Sequence, residues 1–120
     1  MKIVINFILA VLLSCCFLLS CASSIVDGER IRTLNSILKP KPEDAVIEIY
    51  FLGKSPDRPA IEVGRVSARA WVLEKGINEL KVHARELGAD AVTNIRYERR
   101  FSMDYLQDLY FLDGDAVVWK

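Results

Sequence analysis

The sequence predicts a small α+β domain in which one helix packs on a mostly antiparallel or mixed sheet, in the order ββαββ. Runs rich in β-branched and aromatic residues flank a single stretch with helical periodicity. The 120 residues, less any segment removed in processing, suffice for one domain with a modest core. We therefore expect a single domain over residues 45–120.

Two strands are predicted before the helix. Residues 45–52 are rich in β-branched and aromatic side chains and end at Gly53. A second strand begins at Ile61, and its apolar residues change parity near Gly64-Arg65. One extra residue there, a β-bulge, would return these side chains to one buried face.

Residues 74–87 have the period of an amphipathic helix. The apolar stripe of this helix comprises Ile77, Leu80, Ala84 and Leu87. Gly88 follows as a left-handed C-cap, because glycine adopts a positive φ without a steric penalty.

Two further strands are predicted after the helix. The first covers residues 91–98 and the second lies within residues 109–119. Asp113-Gly114 interrupts the second with a turn-forming pair. This pair is compatible with a hairpin turn between two short strands or with a kink in one long strand, and the sequence leaves both open.

The first twenty residues have the pattern of an export signal, a basic Lys2 followed by an apolar stretch. Their length also approaches the ~20 apolar residues of a membrane-spanning helix. The end of the segment, Leu18-Leu19-Ser20-Cys21, resembles the lipobox of bacterial lipoproteins. The resemblance implies that residues 1–20 are a signal peptide cleaved between Ser20 and Cys21. It also implies membrane attachment through diacylglycerol on Cys21, with acylation such as palmitate at the new N-terminus.

A second match, Leu12-Leu13-Ser14-Cys15, keeps Cys15 open as an alternative lipidation site. Cleavage there would leave an apolar stretch at the start of the mature chain, whereas polar sequence begins directly after Cys21. Cys21 is therefore the preferred site. Because Ala22 replaces the Asp that often retains lipoproteins in the inner membrane, the periplasmic face of the outer membrane is the expected location in a two-membrane organism.

Residues 21–44 are predicted to be a lipid-anchored tether. Pro40 and Pro42 disfavour helix and indicate a stiff spacer. A short amphipathic helix within the tether is a second interpretation. It would use the apolar residues Ile25, Ile31, Leu34, Ile37 and Leu38.

The end of the predicted helix carries a second resemblance. Gly88-Ala89-Asp90-Ala91-Val92, followed by residues 94–97, resembles the helix-to-strand junction of RcsF-like and YbjQ-like small domains. Supporting matches are Tyr50-Phe51, residues 59–64 and residues 114–117, so the resemblance covers about residues 45–119. It implies an α+β envelope domain that takes part in interaction or stress sensing, or that binds metal.

The residues of this junction have folding roles of their own. Gly88 closes the helix, and the small Ala89 and Ala91 let helix and sheet approach closely. Asp90 can accept hydrogen bonds from backbone amides in the turn. We therefore interpret the five residues 88–92 as a structural motif rather than a binding site.

Charge and cysteine content exclude several classes of function. Lys2 is the only charged residue before Cys21, which leaves 15 basic and 16 acidic side chains in the mature chain. This balance argues against a nucleic-acid partner. The three cysteines are Cys15, Cys16 and Cys21, so residues 22–120 have neither an internal disulfide nor a thiolate metal site. The disulfide mechanism of the RcsF-like family cannot operate in such a domain.

No residue pattern indicates catalysis. Four hydroxyl residues, Ser55, Ser67, Thr93 and Ser102, lack a nucleophile motif. The acidic residues Asp104, Asp108, Asp113 and Asp115 lack the spacing of a calcium loop. His83, the only histidine, is expected to pack at the flank of the helix, because a metal site needs three or four convergent ligands.

The sequence thus predicts a protein that is not an enzyme and has no metal or other cofactor. We expect a membrane-anchored envelope lipoprotein with an interaction or stress-sensing domain and an envelope protein as partner. A lipoprotein that binds a small ligand or a metal is the alternative.

Overall fold

The computed structural model describes residues 4–8, 25–33 and 37–120. Its elements are β1 (Val26–Arg32), β2 (Glu48–Phe51), β3 (Ala60–Ala70), helix α1 (Leu73–Glu86), β4 (Ala91–Ser102) and β5 (Gln107–Trp119). One main helix and a five-stranded mixed sheet form a small single domain. The α+β class predicted from the sequence is confirmed.

The sheet has the strand order β1-β3-β5-β4-β2. Neighbouring strands are antiparallel except β2 and β4, which are parallel. Helix α1 packs on one face of the sheet, against β1, β3, β5 and part of β4. The opposite face is not covered by α1.

Strand β1 is absent from the predicted order, which the structure corrects to βββαββ. Residues 26–32 form neither a spacer nor an amphipathic helix, because they pair along their whole length with β3, from Val26 opposite Ala70 to Arg32 opposite Gly64. Gly28 within this stretch also weakens a helix, since glycine costs about 1 kcal/mol relative to alanine in a helix interior. The domain therefore begins at β1 rather than at residue 45.

The second half of the expected tether also packs on the domain. The amide of Lys41 donates to the carbonyl of Arg85 at 2.8 Å, and Nε of Arg85 donates to the carbonyl of Ala45 at 2.8 Å. Leu38 is partly buried against the core. Residues 37–47 are thus fastened to the end of α1 by a backbone bond, a side-chain bond and an apolar contact.

Two local predictions are resolved by the strand registers. The bulge of β3 lies between Glu62 and Gly64, so the extra residue is Val63, one position before the predicted site. Residues 107–119 form one continuous strand, and the alternative of a hairpin at Asp113-Gly114 is wrong. The chain turns instead at residues 103–106, which join β4 to β5.

The irregularity next to Gly114 is a bulge in the neighbouring strand β4. The register between β4 and β5 shifts between Thr93 and Arg96, opposite Gly114, and Asn94 has a φ of 53°. A Cβ atom on residue 114 would lie 2.7 Å from Cγ1 of Val92. Position 114 therefore requires glycine, because the bulge of β4 lies directly against β5 there.

The core lies between α1 and the sheet. Its buried members are Ile47, Val63, Val66, Ala68, Leu80, Ala84, Leu87, Ala89, Val92, Ile95, Leu112 and Ala116. The predicted helical stripe is confirmed at Leu80, Ala84 and Leu87, whereas Ile77 is only half-buried. Gly76 takes a buried place on the helix because it lies directly against Leu112.

Residues 4–8 are helical. Among the residues that the structure describes, no helix is long and apolar enough to cross a membrane. Cys15, Ser20 and Cys21, on which the lipidation and cleavage predictions rest, lie outside the described residues.

Candidate functional site

The predicted motif at residues 88–92 joins helix α1 to strand β4. Gly88 has a φ of +77°, as predicted for a left-handed C-cap, and its amide donates to the carbonyl of Arg85 at 3.0 Å. Ala89, Ala91 and Val92 are fully buried. A Cβ atom on residue 88 would lie 2.7 Å from the carbonyl oxygen of Lys39. The absence of a side chain at Gly88 therefore lets residues 37–47 pack against the motif.

Asp90 binds a different partner from the one predicted. Its Oδ2 accepts a hydrogen bond from the amide of Trp119 at 2.9 Å, and its Oδ1 lies 3.2 Å from Nζ of Lys41. The prediction of a bond within the local turn is wrong, because the parallel and antiparallel neighbours of β4 bring more distant groups within reach. Asp90 fastens the end of β5 to the start of β4, which is a structural role.

His83 is buried between α1 and β1. Its Nε2 lies 3.1 Å from Oε1 of Glu79, and its Nδ1 lies 3.3 Å from Nη1 of Arg30 and 3.4 Å from Oε2 of Glu86. Arg30 and Glu86 form an ion pair beside it. Both ring nitrogens have partners, and Arg30 joins β1 to the helix through its contacts with His83 and Glu86. This arrangement is a structural network.

The other side chains that could support chemistry are dispersed. Oδ2 of Asp108 lies 3.7 Å from Nη2 of Arg99. Oδ2 of Asp115 accepts a hydrogen bond from Nδ2 of Asn94 at 3.0 Å. Residues 4–8, 25–33 and 37–120 contain no group of three or more His, Cys, Asp or Glu side chains arranged to hold a metal ion. None of the four hydroxyl residues considered in the sequence is hydrogen-bonded to His83.

The sheet face opposite α1 is a further candidate site, and we call it the open face. Alternation along the strands assigns its members, because neighbours of core residues such as Val66, Ala68 and Leu112 point away from the helix. The open face comprises Asp27, Glu29 and Ile31 of β1, Glu62, Arg65, Ser67 and Arg69 of β3, Arg96, Glu98 and Arg100 of β4, and Phe111, Asp113 and Asp115 of β5.

Opposite charges on the open face are paired across neighbouring strands. Arg69 donates from Nε to Oδ1 of Asp27 at 2.8 Å, and its second guanidinium nitrogen bonds to Oδ2. This bidentate pair raises the pKa of the Arg69 guanidinium further above its ordinary value. Arg96 donates from Nε to Oδ1 of Asp113 at 3.2 Å. These pairs fix the positions of charges that would otherwise sample many rotamers.

Stacked arginines and aromatic rings occupy the same face. The guanidinium of Arg100 lies 3.9 Å from the centroid of Phe111, and that of Arg69 lies 5.4 Å from the centroid of Tyr105. These are cation–π distances. Phe111 thereby contributes apolar area to a face whose side chains are mostly charged.

Two depressions lie on the open face. A trough of about 840 Å³ lies between the side chains of β1 and β4, above Ser67 and Phe111. A second depression of about 630 Å³ continues it along β3 and β5 and shares Glu29, Ser67 and Arg96 with it. Asp27 and Glu29 line one wall of the trough, and Arg96 and Arg100 line the other.

An aromatic cluster lies at the C-terminal end of β5. The ring of Trp119 meets that of Tyr50 edge-on at 6.4 Å, and the guanidinium of Arg58 lies 4.3 Å from the centroid of Trp119. The Tyr50 hydroxyl donates to Oε2 of Glu48 at 2.9 Å, and this bond raises the pKa of the phenol above its ordinary value.

No family model matches the chain, and comparison with curated proteins gave no match. Among solved structures, the crystal structure of a Francisella virulence factor, FvfA, in an orthorhombic form is similar to this protein. The TM-score is 0.58 at 15% sequence identity, and the alignment covers 77% of this chain and 98% of that chain. At this identity the likeness shows a shared fold, and a shared fold does not transfer a function.

The open face was not predicted from the sequence, although a signal for it exists. In β3 and β4 polar residues alternate with apolar ones, as in Arg65-Val66-Ser67-Ala68-Arg69, which is typical of a sheet with one solvated face. The position of β1 beside β3 was the missing information. Only the pairing of β1 with β3 places Asp27 and Glu29 near the arginines of β3 and β4.

Proposed function

We propose that this protein is an envelope lipoprotein, anchored through lipid on Cys21, whose domain binds an envelope protein on its open face without catalysing a reaction. The observation that carries the proposal is the open face itself. It is a broad concave surface on which charges of both signs are held in register around Phe111. Such a pattern recognises a partner with the complementary order of charges.

A protein partner fits this surface better than a nucleic acid. The trough carries Asp27, Glu29, Glu98 and Asp113 as well as three arginines, so it offers no continuous basic path for phosphates. Arginine and aromatic residues are enriched at protein interfaces, and Arg100 stacked on Phe111 supplies both types on the open face.

Site-specific photocrosslinking in cells tests the proposal. A photoreactive residue is placed at Glu29 or Ile31 on the open face, and at the exposed helix positions Asn78 or Val82 as matched controls. We expect a discrete adduct with an envelope protein from the open face and none from the outer side of α1. A stress-sensing role predicts in addition that the adduct yield changes when the envelope is perturbed.

A charge exchange makes this test specific. Reversing both members of one cross-strand pair, Arg96→Asp with Asp113→Arg, retains an ion pair in the sheet but inverts the charge pattern that a partner meets. The adduct should disappear in this double variant while the unfolding midpoint stays near that of the parent. Equal adducts from the open face and from α1, or an adduct indifferent to the exchange, would contradict the proposed binding face.

Small-ligand binding is the second candidate, and the size of the trough favours it. Ligand pockets typically have volumes of about 300–1,000 Å³, and the trough, which is open to solvent on one side, has a volume of about 840 Å³. Its charged side chains of both signs would suit a zwitterionic molecule. Native mass spectrometry of the protein purified from its own cells should then show a bound small molecule that is lost in the same double variant.

The anchor itself is tested by the mass of the mature N-terminal peptide. Lipid on Cys21 gives a peptide that begins at that cysteine and carries the mass of its acyl chains. A peptide that begins at Cys15 would move the attachment site to the alternative position. An unmodified N-terminus at residue 1 would contradict lipidation altogether.

A further inference from the structure

The β4–β5 hairpin ends in a group of exposed apolar side chains. Met103 and Leu106, in the turn, are 76% and 73% exposed, and Phe101 just before it is 55% exposed. Tyr105 in the turn and Trp71 at the end of β3 are also exposed. We refer to these five residues, Trp71, Phe101, Met103, Tyr105 and Leu106, as the apolar end.

The strand registers place the apolar end where the chain enters the domain. The amide of Trp71 donates to the carbonyl of Ile25 at 3.2 Å, so the first described residue of the domain lies directly beside Trp71. Val26 is opposite Ala70, which is in turn opposite Tyr110 of β5. The hairpin turn therefore projects beyond the level of Ile25 at the same end of the sheet.

Covalent geometry limits how far this end can be from the lipid. Three residues, 22–24, lie between Cys21 and Ile25, so the two are four residue steps apart. An extended chain spans at most about 3.6 Å per step, or roughly 14 Å in total. The hairpin continues for two residue pairs beyond Leu109, and at ~3.4 Å per residue its turn extends roughly 7 Å or more past the level of Ile25. Cys21 therefore lies within roughly 14 Å of Ile25, at the end of the sheet from which the hairpin turn projects.

We infer that the apolar end is a membrane-contacting surface, which lies in the interfacial layer of the bilayer that holds the acyl chains of Cys21. This inference rests on the proposed lipid anchor. The residue types suit that layer, because Trp and Tyr rings favour the membrane interface while Met, Leu and Phe enter the acyl boundary. With Cys21 they provide at least two attachment points, which hold the sheet upright with its open face directed along the membrane surface.

The polar residue of the turn does not oppose this placement. The Asp104 carboxylate contributes to the electrostatic field at the Arg69 guanidinium, and the same guanidinium stacks on Tyr105. Arg69 is held by its bidentate pair with Asp27, so the exposed Asp104 keeps its charge. A charged side chain suits the hydrated headgroup layer, while Met103 and Leu106 enter the acyl boundary.

Fluorescence of the full-length lipoprotein in vesicles tests the inference. A single cysteine at Leu106 or Met103 is labelled with an environment-sensitive fluorophore, in vesicles whose lipids carry a quencher on their acyl chains. Val46, which is 85% exposed just before β2 at the opposite end of the sheet, is the matched control position. We expect blue-shifted, quenched emission from the hairpin labels and unquenched, water-like emission from the Val46 label.

Two results would overturn the inference while leaving the anchor intact. Water-like emission at Leu106 equal to that at Val46 shows that the hairpin stays in solvent. Blue-shifted emission that the lipid quencher does not reduce shows that a protein, such as a second copy of this chain, covers the apolar end. Either result would show that the membrane does not cover the apolar end.

The parent protein without an added cysteine separates failure of the anchor from failure of the inference. Residues 22–120 contain no cysteine, so a parent lipidated at Cys21 takes up no label. Labelling of the parent means that Cys21 is free or that the segment carrying Cys15 and Cys16 is retained, and in either case the anchor assignment fails. An unlabelled parent combined with a water-exposed hairpin means that the anchor holds and the membrane contact does not.

Discussion

The backbone amide of Trp119 donates to Oδ2 of Asp90 at 2.9 Å, and this bond joins the last residue of β5 to the turn that precedes β4. The amide of Asp90 donates in return to the carbonyl of Val117 at 2.8 Å. The junction of residues 88–92 thus closes the sheet at the end remote from the hairpin. It does so through Trp119, which follows Asp90 by 29 residues.

Replacing Asp90 should separate the role of its hydrogen bond from that of its charge. Asp90→Ala leaves the Trp119 amide without its partner, and we expect a loss of about 1–3 kcal/mol in the free energy of unfolding. Asp90→Asn keeps an acceptor oxygen but removes the ion pair with Lys41, and a half-exposed pair of this kind contributes less than about 1 kcal/mol. Urea denaturation measures both. The exposed Asp44→Ala is the control, and a loss there equal to that of Asp90→Ala would contradict the role of this bond.

Gly88 and Gly53 provide a matched pair for the cost of a side chain at positive φ. Both have left-handed backbones, at +77° and +91°. A Cβ atom at Gly53 would meet nothing within 4 Å, whereas one at Gly88 would meet the Lys39 carbonyl and Leu38. Gly53→Ala should therefore lower the free energy of unfolding only by the cost of a left-handed backbone at alanine, about 1–2 kcal/mol. Gly88→Ala should lower the free energy of unfolding clearly more. Equal losses of stability in the two variants, measured by thermal or urea unfolding, would show that residues 37–47 do not contact the junction closely.

The elements between residues 45 and 119 were predictable because their signals are local. The stripe at Leu80, Ala84 and Leu87 and the terminating Gly88 define the helix with little help from the rest of the chain. β1 was not predictable in the same way, because its residues follow no strict alternation of polar and apolar types. Pairing with β3 and the contact of Gly28 with α1 determine its conformation, and both depend on long-range contacts.

The candidate site was less accessible to sequence analysis than the fold. The sequence correctly placed His83 at the helix, but its partner Arg30 lies in β1 and was assigned to a tether. The open face needs the order β1-β3-β5-β4, in which strands distant in sequence are neighbours. Charge alternation within one strand reveals a solvated face, whereas the pairing of Asp27 with Arg69 appears only once that order is known.

Gly28 should be essential for the docking of β1. A Cβ atom there would lie 2.6 Å from the carbonyl oxygen of Ser67 and 2.9 Å from Cδ2 of His83. Gly28→Val should therefore cost at least the ~1–3 kcal/mol typical of overpacking, and it should release β1 from the sheet. Amide hydrogen exchange of residues 26–32 measures this release.

The neighbouring position supplies the control for Gly28. Glu29 is exposed on the open face, and Glu29→Val introduces the same side chain into the same strand without meeting the helix. Protection of β1 should be retained in Glu29→Val and lost in Gly28→Val. Retained protection in both variants would contradict the tight contact between β1 and α1.

Tyr50 should titrate at higher pH than an ordinary tyrosine. The largest cause is the hydrogen bond that its hydroxyl donates to Glu48, because only the protonated phenol can make it. The folded pKa therefore lies above the reference value of 10.0. The associated stabilisation is fully present below that reference value and is lost as the pH rises through the folded pKa.

Ultraviolet titration of the parent minus Tyr50→Phe isolates this phenol from the other tyrosines. Glu48→Gln removes the negative charge beside the hydroxyl, so the Tyr50 pKa should fall towards 10.0. Asp57→Asn is the graded control, because Asp57 raises the same pKa only through a weaker charge interaction and should lower it less when neutralised. A Tyr50 pKa that is unchanged in Glu48→Gln, or that falls equally in both variants, would show that the bond to Glu48 does not control this titration.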